Sequence, residues 1–118
     1  MSLRSLATQF VDLCNQGKNF DVMRSLYAPN IVSVEGDGSQ TMGQQQVIRK
    51  SEVWAANNTI HSERVRGPYY NGPRFAVHYT FEVTRKDSGE KVTLEEVGVY
   101  TVELDRIIRE EFFYDGEH

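Results

Sequence analysis

Apolar and polar residues alternate almost without interruption through the last forty residues of the chain. The alternation runs over residues 74–85, 91–104 and 107–114. A period of two residues is typical of strands that bury only one of their faces. Turn-forming residues such as Asp87-Ser88-Gly89 separate these segments and favour hairpins. The carboxyl-terminal half is therefore predicted to form an antiparallel sheet, with one weaker strand over 62–70.

The amino-terminal half repeats its apolar residues at helical spacing instead. A first helix is predicted over residues 2–16, where Ser2 can cap the start and Gly17 can end it. The inner face of this helix consists of Leu3, Leu6, Ala7, Phe10, Val11 and Cys14.

Two further helices and a short strand are predicted before the sheet. A helix over 21–27, with Asp21 as a possible cap, cannot continue past Pro29. A strand over 31–35 follows, and a third helix opens at Gly43. The inner face of that helix is predicted to hold Val47, Ile48, Ser51, Trp54 and Ala55. Helices followed by strands predict an α+β fold, with the helices on one face of a curved sheet.

Length and composition narrow the class of protein. A chain of 118 residues has the size of one domain, so we treat residues 1–118 as a single unit. Its net charge of −4 argues against binding to nucleic acid or to an acidic membrane surface. The single cysteine, Cys14, excludes an internal disulfide and favours a reducing compartment. Since no apolar segment resembles a signal peptide or spans a bilayer, a cytoplasmic protein is predicted.

Several features together resemble one known family. They are the turn from Asn15 to Gly17, the segment LYAPNIV over 26–32, the helix that begins at Gly43, and the four predicted strands of the carboxyl-terminal half. These features resemble the SnoaL-like branch of the nuclear transport factor 2-like (NTF2-like) superfamily over essentially the whole chain. The resemblance implies a cone, in which a strongly bent antiparallel sheet wraps around three helices and leaves a pocket at its open end. It also implies a homodimer, which we expect to form through the convex sheet face.

Two acidic residues, Glu96 and Glu110, fall in register with the apolar face of the last hairpin. A carboxylate on an apolar wall is either a structural hydrogen-bonding group or a working acid or base. Alignment with catalytic family members places both on the pocket side. A three-residue turn at 104–106 would set Tyr100 opposite Glu110, and a two-residue turn would set Arg109 there. We prefer the three-residue turn, which also predicts that Val102 faces Ile108.

Glu35 is a third candidate, because its position resembles that of the general base in ketosteroid isomerase. Gly38-Ser39 follows it, as in that enzyme. The isomerase tyrosine of the first helix is Phe10 here, and its oxyanion-binding acid falls near Gly98. Without those donors an enolate loses its stabilisation, so steroid isomerisation in its familiar form is rejected. An exposed carboxylate at the end of a strand is the alternative interpretation.

His61 is a fourth candidate, in a tripeptide with Thr59 and Ile60 that resembles the scytalone dehydratase-like branch. There a histidine at this place acts as a base and is oriented by an aspartate. Asn15 stands at the aspartate position here and cannot stabilise an imidazolium as a carboxylate does. A histidine at a helix–strand junction with a structural hydrogen bond is the alternative.

The histidines and glycines of the sequence give no sign of a bound metal or cofactor, and the aromatic residues predict an apolar pocket. The three histidines, His61, His78 and His118, lack metal-ligand spacing, and no phosphate-binding loop is present, so no metal or cofactor is expected. His78 and Glu82 are expected on the convex face. The predicted pocket is apolar and is lined by Phe10, Trp54, Val77, Tyr79, Phe81, Tyr100 and Phe112.

Two classes of function remain open from the sequence. The first is cofactor-free proton transfer on a small hydrophobic carbonyl compound, leading to isomerisation, cyclisation or dehydration. The second is binding of a small hydrophobic ligand, or an accessory role as a dimer, without catalysis.

Overall fold

Three helices and six strands follow one another along residues 2–116, the part of the chain that the computed structural model describes. The predicted α+β class is confirmed, with helices packed against one face of a curled sheet. The elements are α1 (Leu3–Asn15), α2 (Asn19–Leu26), β1 (Tyr27–Val34), β2 (Gln40–Met42), α3 (Gln44–Asn57), β3 (Asn58–Asn71), β4 (Arg74–Arg85), β5 (Lys91–Glu103) and β6 (Arg106–Phe113).

The strands lie in the order β2-β1-β6-β5-β4-β3. Every neighbouring pair is antiparallel except β1 and β6, which run parallel. The expectation of a wholly antiparallel sheet is therefore wrong at this pair. A parallel neighbour needs a long crossover, which the chain between β1 and β6 provides. This pairing sets Ser33 beside Glu110.

The helix predictions differ from the structure mainly at their ends. The Ser2 side chain caps α1 by accepting a hydrogen bond from the Ser5 amide at 3.1 Å, and Gly17 takes a positive φ of 75° just after it. The second helix begins before Asp21, which lies in its first turn and is not its cap. The strand β2 was missed, because three residues are too few to show an alternation.

The last hairpin closes through a two-residue turn, so the predicted three-residue turn is wrong. Leu104 and Asp105 both have positive φ, at 49° and 64°, as in the turns that match the twist of a hairpin. Tyr100 nevertheless lies opposite Glu110, because the register shifts beside Thr101 and restores the predicted facing.

Because of the shift in register, Ile107 takes the position opposite Val102 that was predicted for Ile108. Val102 pairs with Ile107 and not with Ile108, as the longer turn would require. Ile107 is fully buried in the core, whereas Ile108 is only half-buried.

The core lies between α1 and the concave face of the sheet. Phe10 packs against Phe75 and Tyr100, with ring centroids 5.3 and 4.5 Å away. Burial of such aromatic side chains supplies much of the stability of a small domain. None of the helices in residues 2–116 is long and apolar enough to cross a membrane.

Candidate functional site

A cavity of about 800 Å³ opens between the helices and the concave face of the sheet. A cavity of this size can enclose a small organic molecule. Six of the seven predicted lining residues border it; the prediction is wrong for Val77, whose side chain packs within the core away from the cavity. The six are Phe10, Trp54, Tyr79, Phe81, Tyr100 and Phe112.

Glu110 lies at the deep end of this cavity with only 2% of its surface exposed. The Tyr27 hydroxyl group donates a hydrogen bond to Glu110 Oε1. Ser33, its neighbour on β1, also bonds to the carboxylate. Burial raises the pKa of Glu110, while Lys50, Ser33 and Tyr27 act in the opposite direction because they stabilise the ionised form. Glu110 is therefore built into the wall by hydrogen bonds from the first strand.

Lys50 of α3 connects this group to Glu35. Its ammonium group donates to Ser33 Oγ at 2.6 Å, forms an ion pair with Glu35, and lies 4.0 Å from Glu110 Oε2. Glu35 is thus a half-buried, paired carboxylate and not an exposed end of a strand. The Tyr114 hydroxyl group also reaches it, at 3.4 Å.

Lys50 was not among the predicted site residues, although its spacing along the helix indicates the inner face. Lys50 stands three residues after Val47 and four before Trp54, which is the spacing of one helix face. The inner face predicted for this helix contained Val47, Ile48, Ser51, Trp54 and Ala55 and left Lys50 out. A long lysine side chain can follow an apolar surface and place its charge at a distant polar group, so the spacing should have outweighed the residue type.

Glu96 lies on β5 and borders the same cavity, directly across from Tyr79 on β4. Burial, together with the nearby charges of Glu35 and Glu110, raises the pKa of Glu96 to about 7 against the opposing effect of Lys50. A carboxyl group that titrates near neutral pH can both accept and return a proton.

Two tyrosine hydroxyl groups meet on the same wall, where Tyr79 stands across from Glu96 and Tyr100 across from Glu110. Tyr79 and Tyr100 share a hydrogen bond between their hydroxyl oxygens. Burial raises the pKa of both phenols well above the ordinary value, so they stay protonated and serve as donors. The two hydroxyl groups carry two protons and use one for the bond between them, and the Cys14 thiol beside Tyr79 competes with a ligand for the other.

The Tyr100 ring fits into the cavity wall because residue 98 is a glycine and has no side chain. A methyl group added at Gly98 would lie 2.8 Å from the Tyr100 hydroxyl oxygen. The space that a side chain at this position would fill is therefore taken by Tyr100. The resemblance to ketosteroid isomerase places the oxyanion-binding acid near Gly98, so a different donor occupies that region here.

His61 and Asn15 have separate hydrogen-bond partners. Its Nε2 lies 2.7 Å from Thr84 Oγ1 on the neighbouring strand, and the side chain is exposed at the edge of the cavity. Asn15 instead binds the backbone of Val65 twice, through its amide nitrogen at 3.0 Å and its oxygen at 2.8 Å. Asn15 thus joins α1 to β3.

Glu63 is a cavity residue that the sequence analysis did not single out. It is half-buried on β3, accepts a hydrogen bond from Asn19 Nδ2 at 2.7 Å, and has its pKa raised by burial to about 7. Apolar and polar residues alternate only weakly along β3, so the sequence did not indicate which face of the sheet Glu63 occupies.

His78 and Cys14 are not part of the group formed by Glu96, Glu110, Tyr79 and Tyr100. His78 is on the opposite face of β4, where its Nε2 lies 4.0 Å from Glu95 Oε1. The Cys14 thiol is buried at the cavity wall, and burial raises its pKa well above the ordinary value. Within residues 2–116, no three His, Cys, Asp or Glu side chains are grouped as metal ligands.

Comparison with known proteins agrees with the cone-shaped fold. The model of the SnoaL-like domain matches residues 1–114. A protein of Mesorhizobium loti, provisionally assigned as a SnoaL-like polyketide cyclase, shares 38% identity over 97% of this chain and 100% of its own, with a TM-score of 0.92. The chain therefore belongs to the SnoaL-like family. No curated protein matches the sequence.

More distant structures share the fold alone. A provisionally assigned SnoaL-like polyketide cyclase of Jannaschia sp. CCS1 is 18% identical, with a TM-score of 0.79 over 96% of this chain and 85% of its own. A protein of unknown function from Xanthomonas campestris, with a cystatin-like fold, is 14% identical, with a TM-score of 0.81 over 98% of this chain and 92% of its own.

Proposed function

We propose that the protein is a cofactor-free enzyme that moves a proton on a small hydrophobic carbonyl compound. The observation that carries this proposal is the convergence of Glu96, Glu110 and the Tyr79–Tyr100 hydroxyl pair on one cavity whose wall also contains several aromatic rings. Proton transfer next to a carbonyl group needs a base and a donor to the developing enolate oxygen, and both are present.

In this reaction Glu96 removes a proton from the carbon beside the carbonyl group. The electrons of the broken C–H bond form the enolate, whose oxygen accepts a hydrogen bond from the tyrosine pair. Glu96, now protonated, returns the proton to a second carbon in an isomerisation. In an aldol-type cyclisation the enolate carbon instead forms a bond to a second carbonyl carbon of the same molecule, the π electrons of that carbonyl group move to its oxygen, and Glu96 protonates the resulting alkoxide. The second outcome agrees with the provisional assignment of the Mesorhizobium loti relative as a polyketide cyclase.

Glu110 has a different part in this proposal. Its burial and its bonds to Tyr27 and Ser33 hold it in the cavity wall, where its charge raises the pKa of Glu96. Glu110→Gln should therefore move the pH dependence of the rate to lower pH, because Glu96 then ionises more easily. Glu35 and Lys50 form the neighbouring ion pair, and His61 lies at the edge of the cavity.

Hydrogen–deuterium exchange at carbon tests the proposal without knowledge of the natural substrate. Phenylacetone and 2-tetralone are incubated with the protein in D₂O, and loss of the proton signal beside the carbonyl group is followed by NMR. The wild type should accelerate exchange, and Glu96→Gln should lower the rate about 10²- to 10⁴-fold. Glu95→Gln is the matched control, since Glu95 precedes Glu96 but lies exposed on the other face.

The outcomes separate catalysis from simple binding. Equal rates for the wild type and Glu96→Gln would contradict the role of Glu96. Chemical-shift changes on addition of the ketones, without any exchange, would favour the alternative, a non-catalytic binder of small hydrophobic ligands.

A homodimer through the convex face is a further part of the proposal. The neighbouring residues Val97 and Phe113 expose 37% and 55% of their surface on that side of β5 and β6. Light scattering of the wild type should give twice the mass of one chain, and Val97→Lys should give a monomer. A monomeric wild type would contradict the dimer.

A further inference from the structure

The cavity wall carries far more negative than positive groups. Five carboxyl groups border it, from Glu35, Asp37, Glu63, Glu96 and Glu110, and Lys50 is the single lysine or arginine among the described lining residues. Lys50 is already bound to Glu35 and Ser33. No ammonium or guanidinium group of the described wall is left to receive an anionic ligand, and the field of the wall repels one.

Glu63 is the lining carboxylate that is most in need of a positive partner. It accepts a hydrogen bond from Asn19, and no ion pair joins it to a cationic side chain within residues 2–116. Its neighbour Arg64 is exposed on the other face of β3. An ionised carboxylate that is half-buried without a cation is costly, and a positively charged ligand would offset that cost.

Aromatic rings lie beside Glu63 on the same wall. Glu63 is paired with Phe81 across β3 and β4. The Phe81 ring is stacked on Tyr79, with centroids 5.5 Å apart, and lies 5.7 Å from Trp54. All three rings border the cavity. Faces of aromatic rings attract cations, most strongly where water is excluded, so the rings and the carboxylate favour the same kind of ligand.

We infer that Glu63 determines specificity for a substrate that carries a positively charged amine. The amine lies against Glu63 and the Phe81–Trp54 rings, and the carbonyl part of the molecule reaches Glu96 and the tyrosine pair. The inference rests on the proposed function for the carbonyl part. The preference for a cation concerns binding alone and is measured without turnover.

Three probes of closely similar shape test this preference. Phenacyltrimethylammonium is a cation with a carbonyl group, 3,3-dimethyl-1-phenylbutan-1-one is its neutral isostere, and 4-oxo-4-phenylbutanoate is an anion of similar length. Dissociation constants are measured by calorimetry at pH 8 for the wild type and for Glu63→Gln, which keeps an acceptor for Asn19. Glu82→Gln is the matched control, because Glu82 is exposed on β4 and does not border the cavity.

The cation should bind to the wild type at least about tenfold more tightly than the neutral isostere, as expected for one favourable charge contact. The anion should bind most weakly. Glu63→Gln should reduce the cation's advantage to about twofold or less and leave the neutral isostere unaffected, whereas Glu82→Gln should leave the binding of both probes unchanged. Phe81→Leu provides a second variant, in which the same advantage should also decrease.

Three results would overturn the inference. They are equal binding of the cation and its isostere, an advantage that survives Glu63→Gln, and no binding of any probe. A different pair of results would show that the proposed proton transfer is wrong while the preference for a cation is right. In that case the cation is preferred as expected, but the wild type does not accelerate exchange at the carbon beside the carbonyl group.

Discussion

The Tyr27 hydroxyl group donates a hydrogen bond to Glu110 and so connects the start of β1 to the middle of β6. Both side chains are almost fully buried. The bond crosses the one parallel pair of the sheet and fixes the deep end of the cavity.

Removal of the Glu110 carboxyl group should destabilise the fold. Glu110→Ala leaves the buried hydroxyl groups of Tyr27 and Ser33 without their acceptor, which should cost about 2 to 4 kcal/mol of unfolding free energy. Glu110→Gln keeps an oxygen acceptor and loses a charge that burial disfavours, so its cost should stay below about 1 kcal/mol. Urea unfolding compares the two variants, and equal losses would show that these hydrogen bonds contribute little.

Lys50→Met should raise the pKa of Glu96 above about 7. Lys50 is the positive charge that opposes Glu35 and Glu110 in their effect on Glu96, so its removal leaves only like charges nearby. The carboxyl carbon signal of Glu96 can be followed by NMR over pH. Arg49→Met is the control, since Arg49 is exposed and outside the cavity. An unchanged titration in Lys50→Met would contradict the assigned electrostatics.

Stability should fall as the pH rises toward 8. Glu63 and Glu96 have ordinary pKa values of 4.5 and values of about 7 in the folded protein, so the fold binds their protons more tightly than the unfolded chain does. Their stabilising contribution is full below about pH 4.5 and is lost as the pH rises through about 7. The melting temperature should therefore be higher at pH 5.5 than at pH 8. The double variant Glu63→Gln/Glu96→Gln should show a smaller difference, and an equal difference would be evidence against both shifts.

Gly98→Ala should disturb Tyr100. The added methyl group would lie within 3 Å of the ring and its hydroxyl oxygen, and relief requires the ring to move away from Tyr79. Such overpacking typically costs about 1 to 3 kcal/mol. A double-mutant cycle with Tyr100→Leu checks the cause, because the same methyl group should cost almost nothing once the ring is absent. A cost that persists in the Leu background would point to the backbone.

Local sequence patterns determined much of the architecture. The bounds of β4 and its inward residues follow from alternation alone, because each apolar side chain on that strand gains by facing the core whatever the other strands do. The cap at Ser2 and the end at Gly17 are equally local. The same alternation put Glu96 and Glu110 in register with the apolar face, and the family resemblance made that face the pocket side; both residues border the cavity.

The tertiary structure decided the partners of those carboxylates. Ser33 lies beside Glu110 because β1 and β6 pair in parallel. Tyr100 lies opposite Glu110 because a shift in register compensates for a hairpin turn one residue shorter than predicted. Lys50 and Glu63 meet the cavity through the packing of α3 and the curl of β3. Such contacts join residues far apart in the chain, and their energies depend on distance and burial, which no local pattern of apolar and polar residues encodes.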